Sequence, residues 1–149
     1  MKKILITGGK GQLAKTFKSI ETNYKSFKFV IKSKQDLDIT NYESLADEIL
    51  QNNYDFIINC AAYTDVNKAE EFKDRAVSVN SNSVKQILEL INDTNCKLIQ
   101  FSSDYVFDGS KETEYSETDE VSPLNNYGYS KYLAEKYIIN STSQSVIIR

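Results

Sequence analysis

The sequence predicts an α/β fold, a doubly wound parallel sheet, from three observations. Five short apolar runs carry no internal polar alternation, and segments with helical spacing separate them. Directly behind the first run, Ile6 to Ala14 (ITGGKGQLA) holds three of the five glycines in the chain. Strands covered on both faces read as continuous Ile, Val and Phe runs, and strand, helix, strand repetition buries them between helical layers.

Taken in order, the first strand is Lys3 to Thr7, and the glycine turn behind it opens a helix. The second strand is Phe27 to Ile31, followed by helical spacing over Tyr42 to Leu50; the third is Asp55 to Asn59. Ala76 to Ile91 reads as one helix, with Val84, Ile87, Leu88 and Ile91 on its apolar face, leading to a fourth strand at Lys97 to Phe101. Asp108 to Asn126 is polar, lacks a period and contains the only proline, Pro123, so it reads as a surface loop near a site. Helical spacing resumes over Tyr129 to Ile139, and a fifth strand, Ser145 to Ile148, closes the sheet early.

Composition bounds the function. A chain of 149 residues makes one domain able to bury roughly 70% of its unfolded surface. A net charge of -3, with both signs interspersed, leaves no basic stripe, and no nucleic-acid partner is expected. Met1-Lys2-Lys3 precedes too few apolar residues for a signal peptide, and no stretch is long enough to span a bilayer. Cys60 and Cys96 have neither metal-ligand spacing nor a CxxC pattern and read as reduced core thiols. The expectation is a cytoplasmic protein without membrane or metal. The absence of histidine removes Ser-His-Asp hydrolysis, Cys-His proteolysis and His-based metal sites. Proton chemistry falls to Tyr, Lys, Ser or carboxylates.

Gly8, Gly11 and Ala14 fit G-x-x-G-x-x-A between a strand and a helix, the pattern of a dinucleotide-binding Rossmann turn. Such a turn needs a residue tolerant of positive φ, a bare backbone beside the cofactor, a small residue against the sheet, and a helix N-terminus under the pyrophosphate. The alternative is a plain strand-to-helix connection. Where a ribose-binding carboxylate is expected, the sequence reads Ile31-Lys32-Ser33-Lys34, which suits the 2'-phosphate of NADPH at least as well as NADH; a solvated lysine turn is the alternative. Tyr127 and Lys131 are spaced i, i+4, so a helix starting after Pro123 puts both on one face, where the ammonium would lower the phenol pKa. Tyr24 with Lys28 and Tyr132 with Lys136 match the same spacing. Only Tyr127 follows the long loop on the expected side of the sheet.

Five motifs then fall in register: Thr7 to Leu13 (TGGKGQL), Asp36 to Thr40 (DLDIT), Asn59 to Val66 (NCAAYTDV), Phe101 to Gly109 (FSSDYVFDG) and Tyr127 to Lys131 (YGYSK). Their order resembles the extended short-chain dehydrogenase/reductases, and most of all the dTDP-4-dehydrorhamnose reductase family, over essentially the whole chain. Gln12-Leu13 separates them from sugar epimerases, which usually carry Phe-Ile there, and Ser-Asp-Tyr-Val-Phe from dehydratases, which usually carry an Asp-Glu pair.

The resemblance implies that Tyr127 is the general acid, that Lys131 holds the nicotinamide ribose and tunes Tyr127, and that Ser103, often threonine in the family, bonds the substrate carbonyl. It implies Gly8, Gly11, Gln12 and Leu13 at the pyrophosphate, Asp38 and Ile39 at the adenine, and Ala61, Ala62 and Tyr63 on the ribose and nicotinamide side, while Ser33, between the two lysines, is a further expected cofactor contact. Thr64, Val66, Asp104 and Tyr105 would contact substrate. Asn59 to Ala62 as plain strand end, and Asp38 or Asp104 as caps, remain the structural alternatives. Family members continue into a substrate-binding lobe, so residues 1–149 read as the NAD(P)-binding Rossmann domain with that lobe absent from this chain. The implied reaction is reduction of the C4 ketone of a dTDP-6-deoxy-4-ketohexose with NADPH or NADH, for dTDP-rhamnose and cell-surface polysaccharide biosynthesis, a homodimer being left open. A reductase or epimerase for another nucleotide sugar, and a non-catalytic regulatory subunit, are the alternatives; intact Ser103, Tyr127 and Lys131 speak against the second.

Overall fold

A computed structural model describes all 149 residues. Strands β1 (Lys2–Ile6), β2 (Phe27–Ile31), β3 (Phe56–Asn59), β4 (Lys97–Phe101) and β5 (Ser145–Ile148) form one parallel sheet in the order β2-β1-β3-β4-β5. Helices α1 (Gln12–Ile20), α2 (Tyr42–Asn52), α3 (Val66–Glu71), α4 (Lys73–Val77), α5 (Ser83–Ile91) and α6 (Asn126–Ile139) complete the fold. The chain steps outward from β1 to β2, then returns past β1 to β3 and continues to β5. The direction of winding therefore reverses between β1 and β3, which is where open α/β sheets bind ligands.

Strand alternation divides the sheet between two cores. Leu5, Ile57 and Leu98 point to one face, where α2, α5 and α6 bring in Leu45, Ile49, Val84, Ile87, Ile91 and Ile138; this cluster has 16 buried residues. Ile4, Ile6 and Ile58 point to the other face and meet Ala14 of α1, in a cluster of only four. At roughly 1.5 to 3 kcal/mol for each fully buried aliphatic side chain, the first cluster supplies most of the apolar stabilisation. Ala14, in the second cluster, is completely buried, as the small-residue requirement of the glycine motif demands.

The segment Ala76 to Ile91 is not one regular helix. α4 is followed by a π turn over Ser78–Asn82, and only then by α5. The short α3 was not foreseen either; Asp65 caps it by accepting from the Lys68 N–H at 3.0 Å. α6 starts at Asn126 rather than Tyr129, because Asn125 accepts from the Gly128 N–H at 2.7 Å and closes the first turn. The stretch after Phe107 has neither helix nor strand up to α6. Asp108 holds it by accepting from the Ser110 N–H and hydroxyl and the Tyr115 hydroxyl, and the Phe107 and Tyr115 rings stack with centroids 4.2 Å apart. Both cysteines are free; Cys96 is buried, whereas Cys60 is only half-buried, at the end of β3. Burial pushes both thiols up to about 11, which leaves them protonated and inert. No helix is long and apolar enough to cross a membrane.

Candidate active site

At the reversal point the β1 turn presses against the chain leaving β3. Gly8 has φ +68°, and a Cβ there would lie 2.7 Å from the Ala61 nitrogen, so both conformation and space require glycine. The Gly11 N–H donates to the Gly8 carbonyl at 2.8 Å, and α1 then begins with no side-chain cap. The first-turn amides, those of Gln12 and Leu13 among them, thus have no side-chain acceptor and sit at the positive end of the helix dipole. Beneath the turn, a buried polar ladder joins the strand ends. Thr7 donates to Asn59 at 2.6 Å, Asn59 donates to Gln100 at 2.8 Å, and the Ala61 N–H donates back to the Thr7 hydroxyl at 3.2 Å. A bare backbone cradle, uncapped amides and a cavity fit a dinucleotide pyrophosphate.

The cavity over this point measures about 410 Å³. Gly8, Gly11, Asp38, Ile39, Ala61, Ala62, Tyr63 and Thr64 line it, so most of the expected cofactor residues come together. Lys10, Lys34 and Arg75 supply cationic groups on its wall. Of these, Lys10 and Arg75 escaped the sequence reading, although Lys10 lies inside the glycine motif; Arg75 stacks over the Tyr63 ring at 5.9 Å.

Ser33 is not in the wall. Its hydroxyl donates to Asp36 at 2.6 Å, and its N–H donates to the same carboxylate oxygen at 2.9 Å. The two lysines expected to suit a 2'-phosphate diverge: Lys32 pairs with Glu48 at 3.1 Å and Lys34 with Asp38 at 3.5 Å. The second pair is solvent-exposed and worth little, so a phosphate can draw Lys34 away at small cost. Asp38 also accepts from the Thr40 N–H and hydroxyl at 3.0 and 2.7 Å, which makes it a turn former as well as a cavity residue.

The residues expected to handle protons stand one strand further along, behind β4. Ser103 follows β4 and opens a short 3₁₀ turn at Asp104–Val106, accepting from the Tyr105 N–H at 3.1 Å. The Tyr105 ring meets the Tyr127 ring edge-on, with centroids 5.6 Å apart. Gly128 permits this approach, since a Cβ at that position would run into the Tyr105 carbonyl. Lys131 is 3% exposed, and its ammonium donates to the Phe101 carbonyl at 2.5 Å. Burial, partly offset by Glu135, pulls that ammonium down to about 8.

The expected lowering of the Tyr127 pKa is not what the structure shows. Burial holds the phenol above its ordinary value, the Ser103 hydroxyl beside it works the other way, and Asp104 and Tyr105 add to the upward push. Lys131 is not among the groups that shift the phenol, and its ammonium donates to the Phe101 carbonyl. Of the expected substrate contacts, Thr64 lies in the main cavity, Val66 opens α3, and Asp104 and Tyr105 line a separate cavity of about 340 Å³ with Phe107 and Leu124.

Asn80, inside the π turn and 1% exposed, was missed in the sequence. It accepts from the Tyr63 N–H at 2.8 Å and donates to the Tyr63 carbonyl at 3.0 Å and to Ser130 at 2.9 Å. It thereby ties the cavity loop to the helix that carries Tyr127 and Lys131. Its neighbours Ser78, Ser81, Asn82 and Ser83 are polar as well, so no signal in the sequence singled it out.

Known proteins bear on this site. The family model described as the RmlD substrate binding domain matches residues 1–149. The dTDP-4-dehydrorhamnose reductase of Aggregatibacter actinomycetemcomitans is 36% identical over 149 residues, covering 100% of this chain and 51% of the relative. The crystal structure of that reductase from Bacillus anthracis, in complex with NADP, superposes with a TM-score of 0.94 at 32% identity, over 100% of this chain and 53% of the other. The Clostridium acetobutylicum reductase superposes with a TM-score of 0.93 at 34% identity, over 99% of this chain and 52% of the other. The chain thus spans about half the length of these relatives.

Proposed function

Because the chain belongs to the RmlD substrate binding domain family, we propose that it supplies the nucleotide-binding part of a sugar-nucleotide reductase. The substrate is a dTDP-6-deoxy-4-ketohexose, dTDP-4-dehydro-L-rhamnose, and the product the corresponding C4 alcohol, dTDP-L-rhamnose. The observation that carries this reading is one juxtaposition. The glycine cradle at Gly8 and the group Ser103, Tyr127 and Lys131 flank the same strand ends, and Asn80 links them.

Gly8, Gly11, Gln12 and Leu13 hold the pyrophosphate on the amide end of α1, Asp38 and Ile39 border the adenosine, and Lys10 or Lys34 meets a 2'-phosphate. The bound nicotinamide cofactor, NADPH or NADH, supplies a hydride to the ketone carbon. As charge grows on the carbonyl oxygen, Tyr127 gives its phenolic proton to that oxygen and Ser103 holds the oxygen in line by a hydrogen bond. A phenol whose pKa is raised by burial keeps its proton until that moment. Lys131, charged below about 8, is the residue that the resemblance sets at the nicotinamide ribose.

Isothermal titration of the 149-residue chain with both cofactors tests the nucleotide half of this reading. The expected result is binding of NADPH no weaker than NADH, and its loss in Gly8→Val, which puts a branched side chain into the Ala61 backbone. Binding of neither cofactor by the folded wild-type chain overturns it, and a clear preference for NADH overturns the role given to the cavity lysines.

A further inference from the structure

The third residue of a buried line on α6 has no part in the chemistry above. Glu135, one helical turn beyond Lys131, is 1% exposed. Both of its oxygens are held by one guanidinium: Arg149 donates from Nε at 3.0 Å and from Nη2 at 2.8 Å. The remaining Arg149 nitrogen, Nη1, donates to the Glu117 carbonyl at 3.0 Å, and the guanidinium lies 5.3 Å from the Phe107 ring centroid. Glu135 is the buried partner of this pair and Arg149 stays partly in solvent, and burying a carboxylate in this way is costly enough that an apolar residue often serves stability as well or better. What an apolar pair cannot supply is negative charge beside a buried ammonium. Lys131 has one hydrogen-bond partner, the uncharged Phe101 carbonyl, and no ion pair.

We propose that Glu135 is a positioning residue that acts through Lys131: clamped by Arg149 and buried one turn from Lys131 on the same helix, its carboxylate keeps the Lys131 ammonium charged. The proposal rests on the reading of Lys131 as a site residue. The other charged groups on elements packed against α6 make no bond to Lys131. Glu70 faces the helix start at Asn126, Lys73 and Lys85 lie over the Tyr129 and Tyr137 rings, Arg75 lies over Tyr63, and Asp104 stands beside Tyr127. Glu135 is the one charge that acts on Lys131, and it opposes the downward push of burial.

The test is an NMR titration of the 149-residue chain labelled with [ε-¹³C]lysine, the Lys131 signal being identified by its loss in Lys131→Met. The wild-type midpoint is expected near about 8. Glu135→Gln, which keeps the shape and removes the charge, should lower it by about one pH unit or more. Glu135→Asp should restore most of that loss. Arg149→Met leaves the carboxylate without its competing cation and should raise the midpoint. A folded Glu135→Gln chain with an unmoved midpoint overturns the proposal. If that variant does not fold, Arg149→Met decides, and an unmoved or lowered midpoint overturns it. Titration with NADPH separates this from the underlying reading: if Lys131→Met binds NADPH as tightly as wild type, the cofactor role of Lys131 fails, while the midpoint result stands by itself.

Discussion

Tyr127 and Lys131 lie on one helix, one turn apart, and burial moves their pKa values in opposite senses. The phenol is pushed up and the ammonium down to about 8, so near neutral pH the site holds a protonated acid and a charged lysine together. That is the arrangement needed for proton donation to a nascent alkoxide. In a chimera in which this chain replaces the matching half of the Bacillus anthracis reductase, Tyr127→Phe should lower the single-turnover rate by about 100-fold or more with cofactor affinity nearly unchanged. Tyr132→Phe should have almost no effect; loss of rate with Phe at 132 instead would reassign the acid. The linkage of Lys131 to stability has a definite sign. Its folded value of about 8 lies below the ordinary 10.5, so between these two the unfolded chain binds more protons and stability rises with pH. Below about 8 the cost of burying the charge is fully present. Urea denaturation of wild type and Lys131→Met across this window should show the wild type gaining relative to the variant as pH rises, and no relative gain would contradict the burial of a charged lysine.

The strands and α6 were legible in the sequence because local and tertiary demands agree there. Lys97 to Phe101 is a β-prone run that ends up paired on both sides, and Pro123 breaks the chain shortly before the Asn125 cap. The π turn was not legible, because nothing in Ser78–Asn82 prefers a wide turn locally; the turn places Asn80 against Tyr63 and Ser130, partners that only the folded chain brings near. The same reasoning explains the lysines after β2. Their place after β2 suited a 2'-phosphate, but Glu48 and Asp38, reached only through tertiary and turn geometry, set where their ammonium groups point. If Asn80 is the bolt between the cavity loop and the helix that carries Tyr127 and Lys131, Asn80→Ala leaves the Tyr63 peptide and Ser130 without their buried partner. It should cost about 2 kcal/mol or more in urea denaturation, and weaken NADPH binding beyond what the lost stability explains. Unchanged affinity in a folded variant would reduce Asn80 to a structural part.

At the level of the whole molecule the two faces of the sheet are unequally covered. Against the 16-residue core under α2, α5 and α6, the α1 side buries four residues, with Phe27, Phe29, Phe56, Ile99 and Phe101 only partly covered. Ile147 packs on the larger core, so strand alternation turns Val146 and Ile148 to the α1 side, where they are 55% and 43% exposed. α1 reaches the β1 and β2 part of this face, since Phe17 meets Phe29 at 6.2 Å. Ile99, Phe101, Val146 and Ile148 therefore form an apolar strip at the β4 and β5 end, beside an edge strand whose outer backbone groups have no neighbouring strand. Edge strands with exposed apolar side chains pair with other chains, and a single lysine on such an edge is enough to discourage it. Multi-angle light scattering of the 149-residue chain should accordingly show an apparent mass that rises with concentration. Val146→Lys should suppress the rise without loss of thermal stability, because Val146 contributes to neither buried core. A chain that stays monomeric at every concentration, or a Val146→Lys chain that associates as readily as wild type, would mean that this strip is not the surface through which the protein meets itself.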